Sequence, residues 1–466
     1  MFPRNPAVYA ALFSSVLPIT AFTQTANNTR GLPAEDRDFP RATPEPASVP
    51  WWQGDYATGD WFGLRPRLSD HGLDFFAYYN AIVAGNPVGG RNQSASYADD
   101  FYFGLKTDLE KLVGWQGATF TITGVNRDGN SIQGALGSQY DPMQLVGGQA
   151  IFLYGLFLEQ KLLDDKLSIK LGRLGASDDF ATSPLYGYYL NNGIDGNIRA
   201  VLFNTRFSAY PFASWGARLR IDPTPEFNAM VGIYQVSSRM FDRAYHGVDM
   251  SIQSGDGFML IGQVGWTPEF FKREAPAPVS DGKAVVADKK AVAPAISTTA
   301  KGLPGHYFFG GYWSSWDYPQ FGQASTTPAS YGFYLHGDQM VYRENLDSDQ
   351  GLTLFTTFTL SPQQNVAIVP FQVNGGAIYQ GLIPGRDNDR TILGVIYGQF
   401  SNDYANSVSA QGGGSPSYEL VFEAGYRVQL NKWAYIQPDV QWVIQPGGTG
   451  DIPNGLVLGA QFGVKF

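Results

Sequence analysis

Along much of this chain apolar and polar side chains alternate with a period of two, the spacing that gives a β-strand one apolar face. The last eleven residues show it most cleanly: Leu456, Leu458, Ala460, Phe462, Val464 and Phe466 fall on one face. Val457, Gly459, Gln461, Gly463 and Lys465, mostly small or polar, fall on the other. The same pattern predicts a first strand at 73–84, with Leu73, Phe75, Ala77 and Tyr79 opposite Asp74, Tyr78 and Asn80. A second, at 99–110, sets Phe101, Phe103, Leu105 and Leu109 against Tyr102, Lys106, Asp108 and Glu110. Thr119, Thr121 and Thr123 then alternate with Phe120 and Ile122. At 150–161, Phe152, Tyr154, Leu156 and Leu158 oppose Gly155, Glu159 and Lys161, and the next strand sets Leu167, Ile169 and Leu171 against Ser168, Lys170 and Gly172. At 213–222, Ala213, Trp215, Ala217, Leu219 and Ile221 oppose Ser214, Gly216, Arg218, Arg220 and Asp222.

Further strands are expected near 226–236, 257–267, 305–317, 329–342, 351–361, 365–382, 391–402, 417–430 and 433–444, with 305–317, 365–382 and 391–402 lacking a clean polar face. The total is sixteen, and short connections trade with long ones (about 85–98, 128–148, 175–205, 237–256 and 403–416). An even strand number with alternating short turns and long loops is the barrel rule. A soluble β-domain would leave the last strand an exposed apolar edge, an aggregation hazard. A closed barrel pairs it with the first strand instead. The predicted fold is therefore all-β, a sixteen-stranded antiparallel transmembrane β-barrel, with a short N-terminal periplasmic helix built on Trp61, Leu64 and Leu68, capped by Asp60 and stopped by Gly72.

Composition agrees. Charged residues are 16% and aromatics 15%, with 55 Gly, while mean hydropathy is only −0.17; strands apolar on one side and polar on the other give this combination. No other segment approaches the run of about 18 apolar residues that a spanning helix needs. Arg4 followed by an apolar stretch to about Phe22 outlines a signal peptide over 1–25. A Pro-rich linker at 26–50 and an N-terminal periplasmic segment at 51–72 precede the barrel at 73–466. Residues 272–302, rich in Ala, Pro and Lys, break the short-turn rule and are expected to form a disordered periplasmic insertion. The absence of cysteine excludes thiol chemistry, the four scattered histidines argue against a metal cluster, and the net charge of −9 disfavours nucleic acid as a partner. No cofactor or metal is expected.

Inside a barrel the polar face lines the lumen. There Lys106, Lys161, Lys170, Arg218, Arg220, Arg427 and Lys465 meet Asp74, Asp108, Glu110, Glu159, Glu419 and Glu423. A ring of one sign would select ions, whereas a mixed lining suits a neutral polyhydroxylated solute. Trp313, Trp316 and Tyr318 could stack sugars at the outer mouth, although an interfacial aromatic girdle explains them more simply. The segment from Gly175 to Thr205, rich in Tyr and Asn, is the one expected to fold inward and narrow the pore. His336 and Asp338 share a face and could imitate a hydrolase's acid–base pair, but no G-x-S-x-G accompanies them.

Several segments together resemble the carbohydrate-selective porin (OprB) family. They are Gly59-Asp60-Trp61-Phe62-Gly63-Leu64-Arg65-Pro66-Arg67-Leu68, with Phe62 in place of a glycine; Asp165 to Leu174 followed by Asp179-Phe180; Tyr210-Pro211 with Trp215 to Leu219; and Glu423-Ala424-Gly425-Tyr426 through Gln437-Pro438-Asp439-Val440-Gln441-Trp442 to Pro446-Gly447-Gly448. The resemblance covers residues 51–466; the 272–302 insertion is not part of the pattern. It implies an outer-membrane barrel passing glucose and related saccharides by facilitated diffusion through an arginine-rich constriction. Arg91, Lys106, Lys170, Arg199, Arg218, Arg220, Glu419, Glu423 and Arg427 are the candidate pore-lining residues. The expected partners are carbohydrate solutes, outer-membrane lipids and, through Phe466, the barrel-assembly machinery. Whether the chain is a monomer or a homo-oligomer is left open.

Overall fold

The computed structural model describes residues 50–274, 299–300, 302–345 and 348–466. The expected signal peptide, the linker up to residue 49 and most of the 272–302 insertion lie outside the described residues. Sixteen strands make the wall. They are β1 (Leu73–Val88), β2 (Ala95–Asp108), β3 (Ala118–Gly129), β4 (Ile151–Leu162), β5 (Leu167–Leu174), β6 (Ser214–Thr224), β7 (Phe227–Val236) and β8 (Gly257–Trp266). The second half comprises β9 (Leu303–Pro319), β10 (Thr326–Arg343), β11 (Gly351–Leu360), β12 (Phe371–Gln380), β13 (Arg390–Gln399), β14 (Tyr418–Asn431), β15 (Ala434–Ile444) and β16 (Gly455–Lys465).

Each strand pairs antiparallel with its sequence neighbours, and β1 pairs with both β2 and β16, in register from Tyr78 opposite Lys465 to Ala84 opposite Gly459. The sheet is closed, as the strand count predicts. Phe75, Leu219, Val231, Leu260, Phe309, Phe333, Phe358, Leu393, Phe422, Val440 and Phe462 all stand exposed on the outer face. In water so continuous an apolar belt would be a severe liability; in lipid it is the solvent-matched side.

The structure departs from the period-two expectation in places with clear causes. Tyr154 is an extra residue on β4, where Gly155 pairs with Thr123 but Leu153 with Gly124. This β-bulge switches the parity, so Phe152 and Tyr154 turn into the barrel while Leu156 stays outside. Leu109 and Glu110 leave the sheet for a short helix, Leu109–Val113, whose first turn is capped by the Asp108 carboxylate accepting from the Glu110 and Lys111 amides. β12 begins only at Phe371, and the connection between β1 and β2 is shorter than expected because both strands run further.

The N-terminal segment does carry a helix, Leu64–Asp70, but Asp60 is not its side-chain cap; Gly63, at φ 81°, holds that position. Gly72 ends it at φ +85°, where a Cβ would sit 2.6 Å from the Asp108 carbonyl oxygen. Arg65 fastens the helix to the wall: its guanidinium stacks on Tyr56 and Trp61, at 4.0 and 4.2 Å, and donates to the Phe75 carbonyl. Phe62, where the family pattern has glycine, adopts φ 58° with its ring fully exposed.

Between β8 and β9, at the short-turn rim, Glu269–Phe270 extends the ladder onto Leu303–Pro304, and Arg273–Glu274 pairs with Thr299–Ala300. The connection between β7 and β8, residues 237–256, lies at the opposite rim. It covers the part of β4 that β5 leaves unpaired, with the Leu153 amide donating to the His246 carbonyl. There Arg239 pairs with Asp249, whose carboxyl is held below the usual carboxylate range by hydrogen bonds from the Ser251 hydroxyl and amide.

Phe462→Lys would set an ammonium on the lipid face, at a residue paired with Ala81 and Ile436. The substitution is expected to lower stability by about 2–4 kcal/mol if the site is near the bilayer midplane. Denaturant titration in phospholipid vesicles checks this; an unchanged midpoint would place the residue away from lipid.

Candidate functional site: the narrowed lumen

Two connections leave the rim and fill the barrel. One is the β3–β4 connection (residues 130–150, here L2); the other is the β5–β6 connection (residues 175–213, here L3), which contains the 3-10 turn Pro184–Tyr188 and the fully buried helix Arg199–Asn204. Tyr186, Tyr189, Leu190, Ile194 and Ile198 of L3 form one apolar core with Phe308, Tyr312, Tyr334, Phe355, Ile378, Ile392 and Ile396 of the wall. L2 joins it through Tyr140, which packs on Phe203 at 5.6 Å. This explains why 305–317, 365–382 and 391–402 show no polar face. Their inner side meets protein, not water.

Irregular backbone inside a barrel must still satisfy its hydrogen bonds. Side chains of the wall do this for the loops. Glu423 accepts from the Leu190 and Asn191 amides at 2.5 and 3.3 Å. Glu419 accepts from Gln139 and Tyr140 in L2 and from Gly447, at 2.7, 2.9 and 2.6 Å. Arg427 donates to the Gly187 carbonyl at 2.8 Å, with its guanidinium between the Tyr188 and Tyr435 rings. Gln437 and Gln441 donate to the Tyr188 and Pro142 carbonyls. Leaving one of these buried backbone groups unpaired would cost about 1–3 kcal/mol. The loops are thus fastened to the wall at several points.

These positions revise the expectation for Glu419, Glu423, Arg427 and Arg199. The first three do point inward, but the lumen at their level is occupied by L2 and L3, leaving Glu419, Glu423 and Arg427 at most 5% exposed. Arg199, on the L3 helix, is buried against the Phe203 ring at 4.8 Å. They brace the constriction from behind.

Other candidates sit differently. Glu159, Lys170 and Arg218 are directly opposed across β4, β5 and β6. Arg218 donates to Glu159 at 2.8 Å; Asp179, from L3, lies 3.0 Å from Lys170 and 3.3 Å from Arg218. Lys170, Asp179 and Glu159 remain 12, 11 and 21% exposed at their side chains, whereas Arg218, at 4%, is as buried as Arg427 and neutralises the two carboxylates from behind. Arg220 pairs with its own strand's Asp222 near the short-turn rim. Lys106 stands opposite Asp74 toward that same rim, and Arg91 is exposed in the connection between β1 and β2. The structure does not bring Arg91, Lys106 and Arg220 to the Lys170–Arg218 row.

Sequence reasoning missed two elements. Arg127 and Asp100 form a buried ion pair at 3.1 Å that binds both loops, Arg127 donating to Gly147 and Tyr210 to Asp100. Arg390, at the start of β13, lies 4.9 Å over the Tyr188 ring. Inward parity could have marked Arg127 and Asp100; Arg390 fell outside the expected strand. Of the aromatics, Trp313 faces outward, whereas Tyr318 is buried against Thr205 and Trp316 lies under Arg206. The hydroxyls at His336 Nδ1 belong to Tyr186 and Thr357.

A closed barrel with an apolar outer belt, whose lumen is narrowed by an infolded loop and lined by paired charges, has the architecture of an outer-membrane porin. Residues 92–466 match the family described as "Carbohydrate-selective porin, OprB family", and the chain belongs to that family. It is 25% identical over 431 residues to Porin B of Pseudomonas aeruginosa, covering 88% of this chain and 90% of that protein. It is 23% identical over 456 residues to the putative porin QuiX of Acinetobacter baylyi, covering 89% and 94%. The high-pH structure of Pseudomonas putida OprB superposes with a TM-score of 0.79 at 24% identity, over 90% of this chain and all of that one. The protein is a carbohydrate porin of the Gram-negative outer membrane.

Glu423→Ala removes the acceptor of two L3 amides. It should cost about 1–3 kcal/mol and let L3 fluctuate, raising single-channel conductance and its noise in planar bilayers. Conductance identical to that of the unaltered protein would show that L3 does not depend on this bond.

Proposed function

We propose that the pore passes neutral mono- and small oligosaccharides by facilitated diffusion along the Glu159–Lys170–Arg218 row, with Asp179 of L3 on its other side. The observation that carries this is the pairing of two carboxylates with two cations within hydrogen-bonding distance. Their charges cancel, so the row offers little net attraction to an ion of either sign. A sugar hydroxyl both donates and accepts, and the row presents N–H donors beside carboxylate acceptors. Contacts of this kind are individually weak, which permits release as well as entry. The Phe157 ring, 5.3 Å from the Lys170 ammonium, gives the row an apolar flank.

Liposome swelling with a monosaccharide, a disaccharide and salts of comparable size tests the proposal. Sugars should enter faster than size alone allows, and Lys170→Ala, which leaves two carboxylates to one arginine, should slow them and shift the reversal potential toward cations. Rates ordered by size alone in both proteins would make this a general pore.

We further propose that the outer belt contacts outer-membrane lipid, and that Phe466 is the residue the barrel-assembly machinery engages. Its amide donates to the Ala77 carbonyl at 2.9 Å and its ring packs on Phe101 at 6.0 Å. Deleting Phe466 should reduce the amount of assembled barrel while the assembled fraction keeps its unitary conductance; assembly at the normal level refutes the role.

A further inference from the structure

His306 and His336 are far apart in sequence, yet the β9–β10 hairpin brings them together on the lumen face. His306 is directly opposite Asp338, and His336 stands two positions before Asp338, on the same side of β10. Both imidazoles point at a single carboxylate oxygen: His306 Nδ1 is 3.2 Å and His336 Nε2 2.8 Å from Asp338 Oδ2. The ligating atoms of the three residues all lie within 4.8 Å of one another.

We propose that His306, His336 and Asp338 form a binding site for a divalent transition ion of the zinc type. Two imidazoles and one carboxylate are a donor set suited to zinc, copper or nickel, where calcium or magnesium would require more oxygens. Tetrahedral zinc with ligand bonds of about 2.0–2.2 Å sets its ligand atoms roughly 3.3–3.5 Å apart. The two His–Asp distances are already close to that. His306, partly exposed at 23%, has the freedom to close the remaining gap and leaves a coordination position toward the lumen for water.

His336 has the support that a metal-ligating imidazole needs. Its ring stacks on Phe308 at 4.8 Å and 20°, and its Nδ1 meets the Tyr186 hydroxyl at 2.8 Å and the Thr357 hydroxyl at 3.1 Å. With the Nδ1 proton donated to one of these oxygens, the Nε2 lone pair is directed at the ion, the outer-shell device that fixes a ligand's tautomer. Tyr186 belongs to L3. Occupancy of the site therefore stiffens the hydrogen bond that joins the wall to the constricting loop, and zinc slows solute passage.

The test uses the purified full barrel in detergent and in liposomes. Titration with Co2+ should give visible d–d bands of a low-coordinate site at one ion per chain, abolished by Zn2+. His306→Ala removes a side chain that is bonded to Asp338 and leaves the Tyr186–His336 contact in place; losing one of three protein ligands should weaken Zn2+ binding by at least about tenfold, the loss that even an outer-shell change produces. The same variant should keep heat-modifiable migration as a folded barrel and lose the zinc-dependent slowing of sugar-driven swelling. Absent bands, or Zn2+ affinity unchanged in a folded His306→Ala protein, would reduce the cluster to a hydrogen-bonded patch of lumen wall. Because binding is read by spectroscopy, this outcome is independent of whether the solute is a sugar.

Discussion

Everything in the lumen depends on satisfying the backbone of an irregular loop placed at membrane depth. A strand meets this demand through its neighbours, but L3 has no ladder of its own. The wall supplies the missing partners: one carboxylate, Glu423, for the amides of both Leu190 and Asn191, and an arginine and a glutamine for the carbonyls of Gly187 and Tyr188. Each of these groups would be costly to bury alone. Together they are a matched set, and the apolar packing of Tyr186, Tyr189 and Ile194 closes around them.

The consequence is a division of labour around the circumference. On β9 to β15 much of the inner face supports L3, with apolar residues for contact and polar ones for backbone. On β4 to β6 the inner face carries charges that meet each other and Asp179; Glu159, Lys170 and Asp179 are still partly reached by solvent, with Arg218 buried behind them. A barrel has one wall, but this one has two interiors.

That division also sets how far the sequence could be read. Strand number, closure and the outer face were legible because an apolar outer belt imposes period two on the strands that form it. The inner face was legible only where water or charge faces it, as at Glu159, Lys170 and Arg218. Phe308, Ile378 and Ile396 are apolar because of a loop far away in sequence, and no local periodicity records that partner. Glu419, Glu423 and Arg427 were found as inward charges, but their role as anchors depends on which loop residues reach them. The bulge at Tyr154 was hidden for a related reason: a single unpaired residue leaves no mark in an apolar run, yet it redirects two aromatics.

The small ribbon at the short-turn rim has a modular implication. Arg273–Glu274 and Thr299–Ala300 bring the two ends of the β8–β9 connection side by side. Since closing a longer loop costs only about 0.6 kcal/mol per doubling of its length, the barrel is nearly indifferent to what is inserted between those ends. The ribbon works as a socket. A change in the length of the connection beyond it therefore leaves the register of β8 against β9 as it is.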